Sequence, residues 1–570
     1  MNKGKVKKID FSRKRFAMLA DKYYNQGKYF SALRMAMKEF DEYGGGGDVY
    51  ARLSDIYEAM NLQGTAINWW FKFLHVATEA DLPDVYEGLA INYLNLGNDS
   101  ISAYYYNRLI DVDDTLPDET KLDIAEAFST PKKSRFRFVY PPQIADFSQE
   151  VSKGSKSLKT GDLEQAIEEF SAVEKGSKQY PQAKEMQAVA YLLAGNTQDA
   201  ESACNELLQE KPDDVRGLAT LAAVYLEQGR KEESLEIAKR LAMVSVEDTD
   251  DIYKIATVCC ENGLHEEAYK KFCILDQKLP FDGRTLYFKG VSAYKSGLID
   301  EAEKTFATLC DVYPDAEVAK FYLKGIRNFK DGEEPAPELT YFYHLPEKER
   351  EARCETLMLI RNSAKDEAEL FGMLADTQGY FRWCFDEMDG GDHELQYLGL
   401  LAAVHARSDE FVPDVLLEYE VADVLKIETL RMLLERNEEA EFGLVLCHIY
   451  RKVFLPRVTL GRKRRKKFIE AYAKLASKFI VIKDGYGEKI RLATETLYQA
   501  LQDNNALDII DNTDDCACAI FLLCGMKELG NDPKMIASAF DADVENVRKI
   551  LAAASDDGDG NNEEKRDTNE

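Results

Sequence analysis

Between residues 151 and 315 apolar residues return every three or four positions, and the pattern is broken at fixed points by glycine. Gly161, Gly195, Gly229, Gly263 and Gly297 stand 34 residues apart. Apolar spacing of three and four on both sides of each glycine predicts two amphipathic helices joined by a tight turn. Five residues past each glycine comes a small side chain: Ala166, Ala200, Ser234, Ala268 and Ala302. Nine past come Phe170, Cys204, Ala238, Phe272 and Phe306, and seven before come Gly154, Ala188, Ala222, Ala256 and Gly290. The small positions let paired helices approach, while the aromatic ones fill the wedge between neighbouring pairs. Pro181, Pro212, Pro280 and Pro314 punctuate the links. One such pair cannot bury its apolar stripe alone, whereas a stack of pairs can.

The same spacing returns nearer the N-terminus. ADKYYNQGKYFSALRMA places Ala20, Tyr23, Gly27 and Ala32, and SDIYEAMNLQGTAINWW places Ser54, Tyr57, Ala66 and Trp70. AINYLNLGNDSISAYYY then places Ala90, Tyr93, Gly97, Ser102 and Tyr106. These residues resemble the tetratricopeptide repeat family. The resemblance implies an all-α fold, an alpha-alpha superhelix, with about three repeats in residues 12–115. About five more, with a capping helix, occupy 147–330. It also implies that an extended peptide or partner protein lies on the concave face, lined by the first helix of each pair. Carried onto this chain, the inward positions are Tyr253, Tyr287, Val291 and Tyr294, flanked by Glu227, Glu261 and Lys295. The lysines and asparagines with which some relatives grip a C-terminal carboxylate are missing from these places. Tyrosines with a few acids point instead to an apolar or basic segment.

Residues 116–146 interrupt the array with an acidic helical stretch and a basic, aromatic one, Thr130–Pro142, read as a linker. A second linker, 331–345, contains EEPAPE. Residues 346–553 are expected to form a helical module, with AEFGLVLCHIYRKVF among its helices, and 554–570 an acidic disordered tail. At 533–550, PKMIASAFDADVENVRKI resembles a helix-turn-helix, with Asn546, Arg548 and Lys549 on the second helix. The acids Asp541, Asp543 and Glu545 argue against DNA there.

The formal net charge of -29 repels nucleic acid unless basic residues cluster. They do so at Arg462, Lys463, Arg464, Arg465, Lys466 and Lys467, which makes a nucleic-acid-associated regulator the alternative function. Pairing with the chain's own acids is the favoured account of that cluster. No apolar run of about 20 residues exists to span a membrane. The eleven cysteines fall singly in helical patterns, as reduced buried thiols do, and suggest the cytoplasm. Cys516, Cys518 and Cys524 do not share one helix face, so no metal site is expected. Asp386, Glu387 and Asp389 read as a solvated turn. Phosphate-loop, HExxH and GxSxG motifs are absent, and neither catalytic residues nor a cofactor is expected. The expectation is a non-enzymatic interaction scaffold or adaptor.

Overall fold

Paired antiparallel helices account for most of the chain. The computed structural model describes residues 11–113, 115–127, 147–386, 392–526, 528–530 and 532–555. The basic, aromatic stretch Thr130–Pro142, Glu387 and Asp389 of the acidic turn, and nearly all of the acidic tail lie outside them.

Block 1 is three hairpins: Phe11–Tyr24 with Tyr29–Tyr43, Gly47–Ala59 with Gln63–Val76, and Leu82–Asn95 with Asp99–Val112. Helix Asp118–Ala127 follows. Block 2 begins with Ser148–Lys159 and Leu163–Ser171, then Tyr180–Leu193 and Thr197–Glu210, then Val215–Glu227 and Lys231–Ala242. Thr249–Glu261 with His265–Lys278 and Gly283–Lys295 with Ile299–Val312 complete the pairs, and Glu317–Lys330 caps them.

The repeating glycine has a conformational cause. Gly161, Gly195, Gly229, Gly263 and Gly297 all have φ between 71° and 79°, in the left-handed region, and a Cβ at any of them would meet nothing within 4 Å. The turn needs the backbone angle, not the space. In the second pair of block 1 the same place, 34 residues after Gly27, holds Asn61 at φ 64°, the non-glycine type that best tolerates it. Gly154 and Gly290 have the opposite reason. A Cβ there would lie 2.6 Å from the Phe170 ring and 2.8 Å from the Phe306 ring. Those rings, and Phe272, are fully buried between helices.

The chain divides into two compact units. One is continuous, Ser129–Leu345, and holds block 2; the other joins Met1–Phe128 to Pro346–Glu570. Block 1 and the C-terminal module, expected to be successive domains, are therefore one discontinuous unit. The C-terminal part is predominantly helical, as expected, and one segment within it is not. AEFGLVLCHIYRKVF, read as a helix, is an antiparallel hairpin of β1 (Ala440–Leu446) and β2 (Ile449–Leu455), registered Leu446 to Ile449. Its two-residue turn, Cys447 and His448, has φ of 49° and 63°, the left-handed pair that lets strand twist continue through a tight turn. Asp423 supports this strained turn: the Cys447 N–H donates to its carboxylate oxygens at 3.1 and 3.2 Å.

Candidate functional site

The groove positions expected from the repeats fall into two groups. Glu227, Glu261 and Lys295 are exposed, and Tyr253 and Tyr294 are half-buried. Tyr253 leans on the rings of Phe272 and Phe288, at centroid distances of 6.3 and 6.1 Å. Tyr287 and Val291 are fully buried.

What covers Tyr287 is the chain itself. Leu339–Leu345, expected to be part of a linker, runs as an irregular strap, bent at residues 341–344, over the last two hairpins and the capping helix. The one proton of the Tyr287 hydroxyl is shared between the carbonyls of Thr340 (3.0 Å) and Phe342 (2.9 Å), and Tyr322 donates to that of His344 (2.9 Å). Tyr343 meets Tyr287 edge to face at 4.9 Å. The Tyr341 hydroxyl shares a 2.9 Å hydrogen bond with His265 Nδ1, and the Lys295 ammonium lies 5.7 Å from its ring. Burial holds both Tyr287 and Tyr341 above the usual phenol range, so their hydroxyls stay protonated. Farther along, the Lys254 ammonium reaches the Glu185 carboxylate from two repeats away.

In the other unit, the β1–β2 hairpin closes on block 1. His448 Nδ1 shares a hydrogen bond with the Tyr93 hydroxyl (3.2 Å), and the His448 carbonyl accepts from Tyr105 (2.7 Å). His75 Nδ1 and the Tyr450 hydroxyl form a second such pair at 3.0 Å. Gly443 permits this approach, since a Cβ would lie 2.6 Å from His75 Nδ1. Around them, the Tyr419 N–H donates to Asn68 (3.1 Å) and Lys72 pairs with Asp414 (3.0 Å). Burial, aided by Lys452 for His75, pushes both imidazoles below their usual range, with Glu441 and Asp423 opposing at His75 and His448 respectively.

The basic segment is matched by acids on one short stretch. Lys463 pairs with Asp508 at 2.7 Å, Arg464 lies 3.5 Å from Asp508 and 3.7 Å from Asp511, and Lys467 is 3.6 Å from Asp511. Lys466 faces Glu470 at 3.7 Å, Arg465 is half-buried and Arg462 is exposed. Helices Pro533–Ala539 and Val544–Ser555 pack through Ile536, Ala537, Phe540, Val547 and Ile550, with Phe540 5.4 Å from Phe521. Asn546 donates to Asp515 at 3.2 Å and Arg548 pairs with Glu545 at 2.8 Å, while Lys549 is exposed. The Asn546 amide is thus engaged by Asp515, though the residue itself is exposed. Among the described residues no group of three or more His, Cys, Asp and Glu side chains is placed to hold a metal, and no helix is long and apolar enough to cross a membrane. None of the eleven cysteines is joined in a disulfide.

Sequence reasoning missed the strap and the hairpin contacts. Alternation in LTYFYHL was the available signal for the first, with Tyr341 and Tyr343 on one side and Phe342 on the other. No local signal existed for the second.

Two tetratricopeptide repeat models match the chain, over residues 153–215 and 191–257. Residues 153–257 are tetratricopeptide repeats, in a predominantly helical solenoid, and repeats of this kind generally mediate protein–protein interaction. No curated protein matches the sequence. Among solved structures, the MamA protein is 17% identical, covering 34% of this chain and 98% of its own, with a TM-score of 0.24. A tetratricopeptide repeat protein from Parabacteroides merdae is 14% identical over 47% of this chain and 93% of its own, with a TM-score of 0.21. The TPR2AB domain of yeast Sti1, in complex with pHSP90, is 14% identical over 46% and 96%, with a TM-score of 0.18. At such identities and TM-scores these similarities extend to no property of this chain.

Proposed function

We propose that this protein is a non-catalytic scaffold that binds a partner protein through an extended segment, received on the inner face of block 2 that the strap leaves open. That face runs from the first hairpin to Tyr253. It includes Ser155, half-buried Val189 and Leu192, Leu193, and the exposed acids Glu227 and Glu261. Leu193 is 63% exposed, and a cavity of about 540 Å³ opens beside Ser155, Lys159 and Gln182. The observation that carries the reading is the strap: the same solenoid already holds one non-helical aromatic segment against Tyr287 and Tyr322. A rigid array spares the ordering cost on its own side of the interface.

The test compares full-length wild type with Leu193→Asp/Val189→Asp as bait in nuclease-treated extract. A protein retained by wild type and lost from the variant supports the scaffold. If retention ignores these substitutions, depends on nucleic acid and disappears in Lys463→Ala/Arg464→Ala, the regulator reading replaces it.

A further inference from the structure

The last residue of the first helix is the same place in every hairpin of block 2, two before the turn glycine. From the first hairpin to the fifth it holds Lys159, Leu193, Glu227, Glu261 and Lys295, all of them exposed. The order is basic, apolar, acidic, acidic, basic. The first helices of the first four hairpins each touch the next, so these ends form a row along the array. Lys156, one turn before Lys159, lines the same cavity of about 540 Å³ with it, and none of the lining residues is acidic. Several other charges on the first helices are satisfied within the protein. Arg216 meets Asp251 at 2.8 Å and Asp248 at 3.5 Å, and Lys254 pairs with Glu185. Among the described residues Lys156, Lys159, Glu227 and Glu261 have no ion pair within 4.0 Å. The two glutamates are the harder pair to explain from the fold. A helix ends in carbonyls of partial negative charge, so a cation is favoured at its last residue and a carboxylate is not. Glu227 and Glu261 leave that repulsion unrelieved in two successive hairpins, and a ligand ammonium or guanidinium would remove it.

We propose that this row selects its partner by charge order: an Asp or Glu side chain of the bound segment enters beside Lys156 and Lys159, apolar side chains lie on Leu193, and a Lys or Arg crosses Glu227 and Glu261. The inference rests on block 2 being a protein-binding scaffold and supplies the chemistry of the segment it receives. Packed helices lie about 8–10 Å apart, so Lys159 and Glu261, three hairpins apart, are separated by roughly 24–30 Å. An extended chain rising about 3.3 Å per residue covers that in about seven to nine residues. The acid and the base of the partner are therefore held at a fixed separation, and a segment with the right composition in another order is rejected by like charges.

The probe is a library of random peptides of about sixteen residues, displayed with both ends covered by flanking chain, so that neither a terminal carboxylate nor a phosphate is offered. It is selected on full-length wild type and on full-length Lys156→Glu/Lys159→Glu. Wild type is expected to select Asp or Glu at one place and Lys or Arg about seven to nine residues away, with apolar residues between. The charge-reversed protein should select Lys or Arg at the first place instead. It should bind a wild-type-selected peptide about tenfold or more weakly by fluorescence anisotropy. Lys156→Gln/Lys159→Gln should lose the preference for acid and keep that for base, and Glu227→Lys/Glu261→Lys should reverse the other end. Far-UV circular dichroism checks that the helix pairs persist in each variant. Wild-type peptides without this order overturn the proposal, as does the same order selected by the charge-reversed proteins. Peptides of another order that Leu193→Asp/Val189→Asp no longer binds leave the scaffold reading standing while this inference falls. If wild type selects nothing, both fall.

Discussion

The Tyr93 hydroxyl meets His448 Nδ1 at 3.2 Å across 355 residues of sequence, and Tyr105 donates at 2.7 Å to the carbonyl of the same histidine. Tyr93 is an interior aromatic of the third repeat, and Tyr105 stacks on it at 5.9 Å with planes only 4° apart. A repeat residue that would ordinarily pack against the next hairpin here packs against a β-turn. Tyr93→Phe is expected to lower the stability of this unit by about 1–2 kcal/mol, because the imidazole nitrogen loses its partner in a half-buried place. In a double-mutant cycle with His448→Ala, measured by urea unfolding, the two losses should be less than additive by about 0.5 kcal/mol or more.

Acid should loosen the same contact. Both His75 and His448 titrate below their usual range in the folded protein, so the unfolded chain takes up protons first as pH falls. Their contribution is intact above the unfolded value of about 6.5 and is lost as pH drops through the folded values. Asp55 acts in the opposite sense. Desolvation and the Glu58 and Asp84 carboxylates push it up to about 6, so it destabilises as pH rises from about 4 through 6, only modestly because Asp55 is exposed to screening solvent. Thermal midpoints from pH 4 to 8 should therefore fall less steeply on the acid side in His75→Gln/His448→Gln. They should rise at pH 7 but not at pH 4 in Asp55→Asn.

The two kinds of repeat glycine should respond differently to added atoms. Gly290→Ala drives a methyl to 2.8 Å from the Phe306 ring and is expected to cost about 1–3 kcal/mol through overpacking. Gly297→Ala meets no atom but must hold φ near 79°, a cost of about 1–2 kcal/mol that Gly297→Asn should largely avoid. Asn61→Gly, at the equivalent turn, should be close to neutral. Denaturant midpoints at constant slope decide each case.

Thiol labelling should separate one cysteine from the rest. Cys447 is exposed, but its hydrogen bond to Asp423 and that carboxylate's charge push the thiol up, so iodoacetamide at pH 8 should modify it more slowly than a free cysteine. Asp423→Asn should accelerate the reaction. Burial pushes Cys204, Cys260 and Cys524 up to about 12, and these should stay unlabelled in native protein. Peptide mass spectrometry after timed quenching reads all four.

The repeats could be read from sequence because their rule is local. A left-handed turn residue, small contacts and a buried ring recur at fixed offsets, and Asn61 shows that even the exception obeys the same backbone requirement. The hairpin at 440–455 escaped because its strands do not alternate cleanly: Gly443, Leu444 and Val445 are buried in succession. Leu417 and His75 both crowd Gly443, so that strand is covered from more than one direction. Its turn also lacks the asparagine–glycine pair that usually announces one. The strap was obscured by its neighbours, since Pro335 and Pro337 mark the preceding stretch as irregular. Prolines exclude helix there but say nothing of how the residues after them pack. Sequence could place Tyr287 on an inner helix, yet its burial depends on a stretch of chain more than fifty residues away.

The unit that joins block 1 to the C-terminal module is also a matter of timing. During synthesis Tyr93 leaves the ribosome 355 residues before His448, which at 5–20 residues per second is a wait of roughly 20–70 s. All of block 2 is made and can fold in that interval. For that time the aromatic face of the third repeat has no cover of its own, and whatever shields it in the cell must let go when the hairpin arrives.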